Sequence, residues 1–366
     1  VSEPPGQSRR RWRKRGYRLL AVLASLLVGT MVLEVAIRLI APQRMGVPGL
    51  ESVGGLLVPR ANLRGRDYSP GDFDVQVSNN GQRLRGRREY SQVPEKGSFR
   101  ILTLGDSFTY GVGVSDDETY PAHLERLLSP SGRRVEALNA GIYGSGTSEQ
   151  VLWYKRWACH FRPHVVVLTV YANDLQDDQA RPLFALKGDS LVPLPRERTQ
   201  DRAHAVRRTT RWLPGYSYLS QHSHLLNLVR SQAGALIRSQ GETKAPPKKT
   251  EQAPKDDSLR IYGLVLARLL ELVREQGAEL AVVFVPPRYA VRVPGSEPQR
   301  LTRFKDCLVT STQDLGVPFR DLTPHFIAQR KNGSPLYYDG DFHCTPRGYR
   351  VLASGVSQLL GGLSSN

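Results

Sequence analysis

Short apolar runs alternate along the chain with stretches whose apolar residues recur every three or four positions. The runs are Phe99 to Leu104, Val135 to Asn139, Val165 to Val170, Leu280 to Val285 and a weaker Val317 to Arg320. Nearly continuous apolar runs of this length suit strands covered on both faces. Between them, helical spacing predicts helices over Tyr120 to Leu128, Thr147 to Cys159, Leu259 to Glu275, Arg300 to Gln313 and Pro346 to Leu360. Strands that alternate with helices pair in parallel through crossovers, so the pattern predicts an α/β fold, a three-layer α/β/α domain with a central sheet of about five strands. Functional residues of such open sheets gather at the carboxyl ends of the strands. Ser107, Asn139-Ala140-Gly141 and Asn173 each follow a predicted strand and are expected on that one edge.

Ahead of this domain, Leu19 to Ile40 is apolar apart from Glu34 and Arg38, close to the ~20 residues of a bilayer-spanning helix. Arg9 to Arg15 supplies a basic flank. Basic flanks stay in the cytoplasm, so residues 1–18 are expected there, 19–41 in the inner membrane as a single-pass anchor contacting the lipid bilayer, and the rest outside. A cleaved signal peptide shares this pattern, but the run is longer than an ordinary signal core and no A-x-A site closes it. Glu34 and Arg38 stand at i,i+4 and are expected to pair.

Residues 42–97 are rich in Gly, Pro, Arg and Asn and read as an extended lead-in, with a turn over Ser78 to Arg83. The domain proper is expected over 98–361, with an insertion at 181–257. Within the insertion, Tyr218, Leu219, Leu225, Leu226, Leu228, Val229 and Leu236 predict one amphipathic helix, either a loose surface element or a cap. Gly241 to Lys249 reads as a disordered linker.

Charge changes little in this picture. The net charge of +17 comes largely from the basic flank and the insertion, and no recognition helix, zinc-ligand spacing or strand-borne aromatic motif accompanies it. Nucleic acid is therefore not expected as a partner. Cys159, Cys307 and Cys344 are widely spaced and indicate neither a disulfide framework nor a metal knuckle. His160, His164, His222 and His224 lack a third ligand at metal spacing, and Asp116, Asp117 and Glu118 suit a helix N-terminus. No metal and no cofactor is expected.

Candidate chemistry begins at Gly105-Asp106-Ser107, where a buried strand ends in a glycine turn and presents a hydroxyl. Serine is a weak nucleophile until a positioned base takes its proton. Near the C-terminus, Asp339-Gly340-Asp341-Phe342-His343 offers an imidazole and two carboxylates, Asp341 and Asp339, either of which could orient it. Thr345-Pro346 then reads as a cap and first residue of a helix that pins the loop.

These segments resemble the SGNH (GDSL-like) hydrolases, whose four spaced blocks carry a Ser, a Gly, an Asn and a His. Gly105-Asp106-Ser107 matches the first block, Asn139 to Gly146 the second, Ala172-Asn173-Asp174 the third and His343 the last. The resemblance spans about residues 98 to 361 outside the insertion. It implies a flavodoxin-like domain, Ser107 as nucleophile, His343 as base, and an oxyanion hole from the backbone of Ser107 and Gly144 with the Asn173 amide. The family often writes its last block D-x-x-H. Gly340 stands at the acid position of that spacing, and relatives with D-x-H favour Asp341 over Asp339.

The activity implied is hydrolysis of an acyl ester outside the cytoplasmic membrane, with an acylated carbohydrate or lipid ester as substrate and deacetylation of an envelope or exported carbohydrate as its specific form. Two other readings stay open: an O-acyltransferase acting on an exopolysaccharide or wall polymer with a membrane acyl-transfer partner, and a catalytically silent binding or assembly protein on the same fold.

Overall fold

The computed structural model describes residues 5–46, 49–129, 134–194, 215–241, 256–331 and 333–363. The five apolar runs form strands β1 (Ser98–Gly105), β2 (Arg134–Asn139), β3 (Val165–Tyr171), β4 (Glu279–Val285) and β5 (Phe319–Asp321). All pair in parallel in the order β5-β4-β3-β1-β2. Side chains alternate across the sheet, as strand geometry requires. Leu102, Leu104, Val166 and Leu168 enter a core with Trp153, Tyr262 and Phe304, whereas Ile101, Val165 and Val167 enter another with Leu124, Tyr349 and Leu352.

The first core lies under helices Thr147–Arg156, Asp256–Arg274 and Gln299–Asp314, and the second under Tyr120–Leu128, Thr323–Gln329 and Pro346–Leu363. Each large apolar side chain buried there contributes roughly 1.5–3 kcal/mol. The helix expected to reach Cys159 stops at Arg156, because Trp157 leaves helical geometry and a 3-10 turn follows over Ala158–Phe161. With β2 on one side of β1 and β3 on the other, chain order reverses at β1. This 2-1-3-4-5 order is flavodoxin-like and opens a crevice at the carboxyl end of β1.

The expectation of an extended lead-in over 42–97 is corrected. This segment folds into two antiparallel hairpins, Leu50–Val53 with Leu56–Pro59 and Arg64–Ser69 with Phe73–Ser78. Leu56, Val58 and Leu84 join the first core. Fully buried Arg100 holds the following loop, donating to Glu136 Oε2 at 2.7 and 2.9 Å and to the carbonyls of Ser91 and Phe161, each at 2.7 Å. Arg85 adds an ion pair of 2.8 Å with Asp116. The strands are short, and although Phe73, Val75 and Val77 alternate with exposed Asp74 and Gln76, the partner strand Arg64–Ser69 buries polar Asp67 and Ser69 and carries no apolar alternation. The acidic run forms a 3-10 turn, Asp116–Glu118, leading into Tyr120–Leu128.

The chain divides into two units, the smaller combining residues 1–45 with 214–246. In that unit a single helix, Pro5–Ile40, includes the basic flank, and its stretch Lys14–Ile40 is long and apolar enough to cross a membrane. Glu34 and Arg38 pair at 3.1 Å. Glu34 also accepts hydrogen bonds of 2.9 Å from the backbone N–H of His224 and of Leu225, capping helix His224–Gly241. The one amphipathic helix expected over Tyr218 to Leu236 is therefore two, Tyr216–His222 and His224–Gly241, divided at Ser223, whose backbone is extended. These helices group with the N-terminal helix, not with the sheet domain in which the insertion was expected. The linker expected over 241–249 lies outside the described residues after Gly241.

Candidate active site

The first block sits where β1 ends. Buried Asp106 accepts a hydrogen bond of 2.9 Å from the Phe108 N–H and so caps the short helix Ser107–Tyr110, which Ser107 opens. Burial, together with the charge of Asp177, pushes the Asp106 carboxyl up to about 7 against the hydrogen bond from Phe108. The second block folds over this helix. Asn139 donates to the Thr109 carbonyl at 2.8 Å and accepts from the Gly141 N–H at 3.1 Å. A Cβ on residue 141 would lie 2.2 Å from the Tyr110 nitrogen, so close backbone approach demands glycine there. At exposed Gly144 the reason differs: its φ of +70° needs glycine, while the space a Cβ would enter is open.

The last block lies in the loop before helix Pro346–Leu363. Thr345 Oγ1 accepts from the Gly348 N–H at 3.2 Å and donates to the Pro335 carbonyl at 2.6 Å, which pins the loop by the expected cap. Asp341 Oδ1 lies 2.5 Å from His343 Nδ1 and accepts from the His343 N–H at 2.9 Å. His343 Nε2 lies 2.8 Å from Ser107 Oγ. Asp341 and His343 are buried and Ser107 is half-buried. With a carboxylate at Nδ1, the tautomer protonated at Nδ1 leaves the Nε2 lone pair to accept from Ser107. This hydrogen-bonded line can carry a proton away from Oγ as that oxygen attacks a carbonyl carbon.

Asp339, the alternative acid, is exposed and lies 3.1 Å from Arg292. It does not orient His343. Phe342 projects beside the site, 52% exposed, with its ring centroid 4.3 Å from that of His343.

Asn173 follows β3 at the start of helix Asp174–Ala180, and its Nδ2 donates to Asp177 Oδ2 at 2.5 Å. Arg181 lies 3.9 Å from Asp177 and 3.0 Å from Glu149, and it donates to the Gly144 carbonyl. The second and third blocks are thus joined by side chains that the sequence reading passed over. A signal was present, since 173, 177 and 181 recur at i,i+4 on one helix face. Buried Asp174, next to Asn173, has its carboxyl raised well above the ordinary range by burial and by the charge of Asp106.

Among the described residues no group of three or more His, Cys, Asp or Glu side chains could hold a metal ion. Cys159, Cys307 and Cys344 are free thiols, and Cys344, next in the chain to His343, is buried.

No curated protein matches the chain. Solved structures with a similar fold include a variant of an acetyl-xylooligosaccharide esterase from Geobacillus, 12% identical over 73% of this chain and 97% of that one, with a TM-score of 0.43. A lipase/acylhydrolase from Enterococcus faecalis is 14% identical over 72% and 96%, with a TM-score of 0.41. A putative lipolytic protein of the G-D-S-L family from Desulfitobacterium hafniense is 12% identical over 72% and 99%, with a TM-score of 0.40. The model of the GDSL-like lipase/acylhydrolase family matches residues 103–351, which include Ser107, Gly144, Asn173, Asp341 and His343. The chain belongs to the GDSL-like lipase/acylhydrolase family.

Proposed function

We propose that the protein hydrolyses an acyl ester through a covalent intermediate on Ser107, and that its substrate is an O-acetylated carbohydrate of the cell envelope or an exported glycan. The observation that carries the reaction is the line from Asp341 through His343 to Ser107, with separations of 2.5 and 2.8 Å. Ser107 Oγ attacks the carbonyl carbon and its proton passes to His343 Nε2. Negative charge on the former carbonyl oxygen is met by the backbone N–H groups of Ser107 and Gly144 and by the Asn173 amide N–H that Asp177 does not hold. Such donors contribute roughly 3–4 kcal/mol each in serine hydrolases. His343 returns the proton to the departing alcohol as the ester bond breaks. Water then attacks the acyl-enzyme and gives its proton to His343, which passes it to Ser107 Oγ as the acyl–oxygen bond breaks and the acid leaves.

The carbohydrate reading is supported by an apolar N-terminal helix with a basic flank, which fits a hydrolase tethered at the outer face of the inner membrane. The chain of residues 1–366 in detergent is expected to turn over p-nitrophenyl acetate and to lose that turnover in Ser107→Ala. A folded chain without turnover, or one unaffected by Ser107→Ala, would overturn the proposal.

A further inference from the structure

On the same edge of the sheet, a cavity of about 380 Å³ opens between the segment after β4 and the loop that carries His343. Four cationic side chains line it, Arg288, Arg292, Arg330 and Lys331, with Leu336 and Tyr337 among its apolar walls. No acidic side chain is among its lining residues. The ion pairs of the described residues bring one carboxylate to these cations, that of exposed Asp339, 3.1 Å from Arg292 and 3.9 Å from Arg288.

Four like charges around one hollow repel one another, and walls of low dielectric strengthen their field. Loop anchoring accounts for part of the set: Arg288 donates to the Tyr338 and Asp339 carbonyls at 2.7 and 2.8 Å. Arg330 donates to the Val291 carbonyl at 3.4 Å, a long contact within the cavity's own wall, and loop anchoring does not account for exposed Lys331. Guanidinium groups present flat forks that match carboxylate and phosphate oxygens. Buried Tyr337 lies in this cavity's wall and donates to the Pro286 carbonyl at 2.6 Å, and Tyr338, next in the chain, donates its backbone N–H to the His343 carbonyl at 3.0 Å. The cavity and the base therefore share one loop.

We infer that this cavity binds an oxyanion carried by the substrate, so that the preferred glycan is acidic, bearing carboxylate or phosphate groups near its acyl ester. The inference rests on the ester-hydrolase reading above and deepens it by naming the substrate class. A bound oxyanion would hold the polymer while an ester on a neighbouring unit reaches Ser107, so its contribution belongs in KM more than in kcat.

The test measures kcat/KM of the chain of residues 1–366 on acetylated oligogalacturonate and on the same oligomer with its carboxylates methyl-esterified, alongside p-nitrophenyl acetate. An acetylated glycerol-phosphate oligomer distinguishes phosphate from carboxylate as the source of the oxyanion. At low salt, an acidic oligomer is expected to be preferred over the neutral one by about 10-fold or more, equivalent to one good ionic contact. The preference should shrink at about 0.5 M salt. The double variant Arg330→Gln with Lys331→Gln should lose most of it through a raised KM, and a thermal melt verifies its fold. Turnover of p-nitrophenyl acetate with no preference for either acidic oligomer would overturn the inference alone, as would a preference unchanged in the folded double variant. Absence of turnover on every ester would instead remove the reading on which it rests.

Discussion

The two halves of the site are built differently. On one side, Asp341, His343 and Ser107 touch in an unbroken line, two of them within three residues of each other on a loop capped by Thr345. On the other, Gly144 and Asn173 come from separate loops and are held at second hand, Asn173 by Asp177 and Gly144 by Arg181, which also pairs with Glu149. In the first half, His343 touches Ser107 and Asp341 touches His343. The second depends on a charged lattice behind it, so graded losses are expected where the first half loses activity outright.

The largest effect should come from the direct half. Asp341→Asn keeps the shape of the loop but no longer favours the Nδ1-protonated tautomer, and it should lower kcat by about 10⁴-fold in steady-state ester hydrolysis. A loss below about tenfold would mean that another group orients His343. Asn173→Ala removes one donor to the developing oxyanion and should lower kcat by about 10²–10³-fold with little change in KM. An effect confined to KM would make Asn173 a substrate-binding group instead.

Asp177→Ala removes only the carboxylate that holds Asn173. Losing one orienting hydrogen bond of about 1.4 kcal/mol corresponds to about a tenfold fall in kcat, and Asp177→Asn, which keeps an acceptor, should recover most of it. If both variants fall as far as Asn173→Ala, the lattice is no longer second to the donor itself.

The smallest effect concerns stability. Burial raises the Asp106 carboxyl to about 7 in the folded protein, against an ordinary 3.8. Between those values the folded state binds the proton and the unfolded state has released it, so this residue's contribution to stability falls as pH rises and is lost above about pH 7. Replacing Asp106 by Asn keeps an acceptor for the Phe108 N–H and removes the titration. The melting temperature of that variant should fall less between about pH 4 and pH 7 than that of the unaltered protein, by a few degrees; parallel profiles would contradict the assigned burial.

The same contrast governs what could be read from the sequence. The sheet was legible because β1, β3 and β4 are buried on both faces, which leaves nearly unbroken apolar runs. Ser107 and Asn173 were legible because they directly follow such runs, and Thr345-Pro346 because a cap and a helix-starting proline are local signals. The hairpins of residues 50–78 were not, because they are short and gain their place through distant partners such as Asp116 for the Ser78 N–H and Arg83 for Glu51. The choice between Asp341 and Asp339 needed the loop's path, since both stand within four residues of His343. The roles of Asp177 and Arg181 were not legible because a polar helix face usually meets solvent, and only the fold brings Glu149 and the Gly144 carbonyl to Arg181.

The central claim, that Ser107 is made reactive by His343 and Asp341, is tested most directly by labelling the chain of residues 1–366 with a fluorophosphonate and locating the adduct by mass spectrometry. The account predicts one adduct, on Ser107, that is absent in Ser107→Ala and forms far more slowly in His343→Ala. A folded protein that is not labelled, or one labelled at another residue, would contradict it.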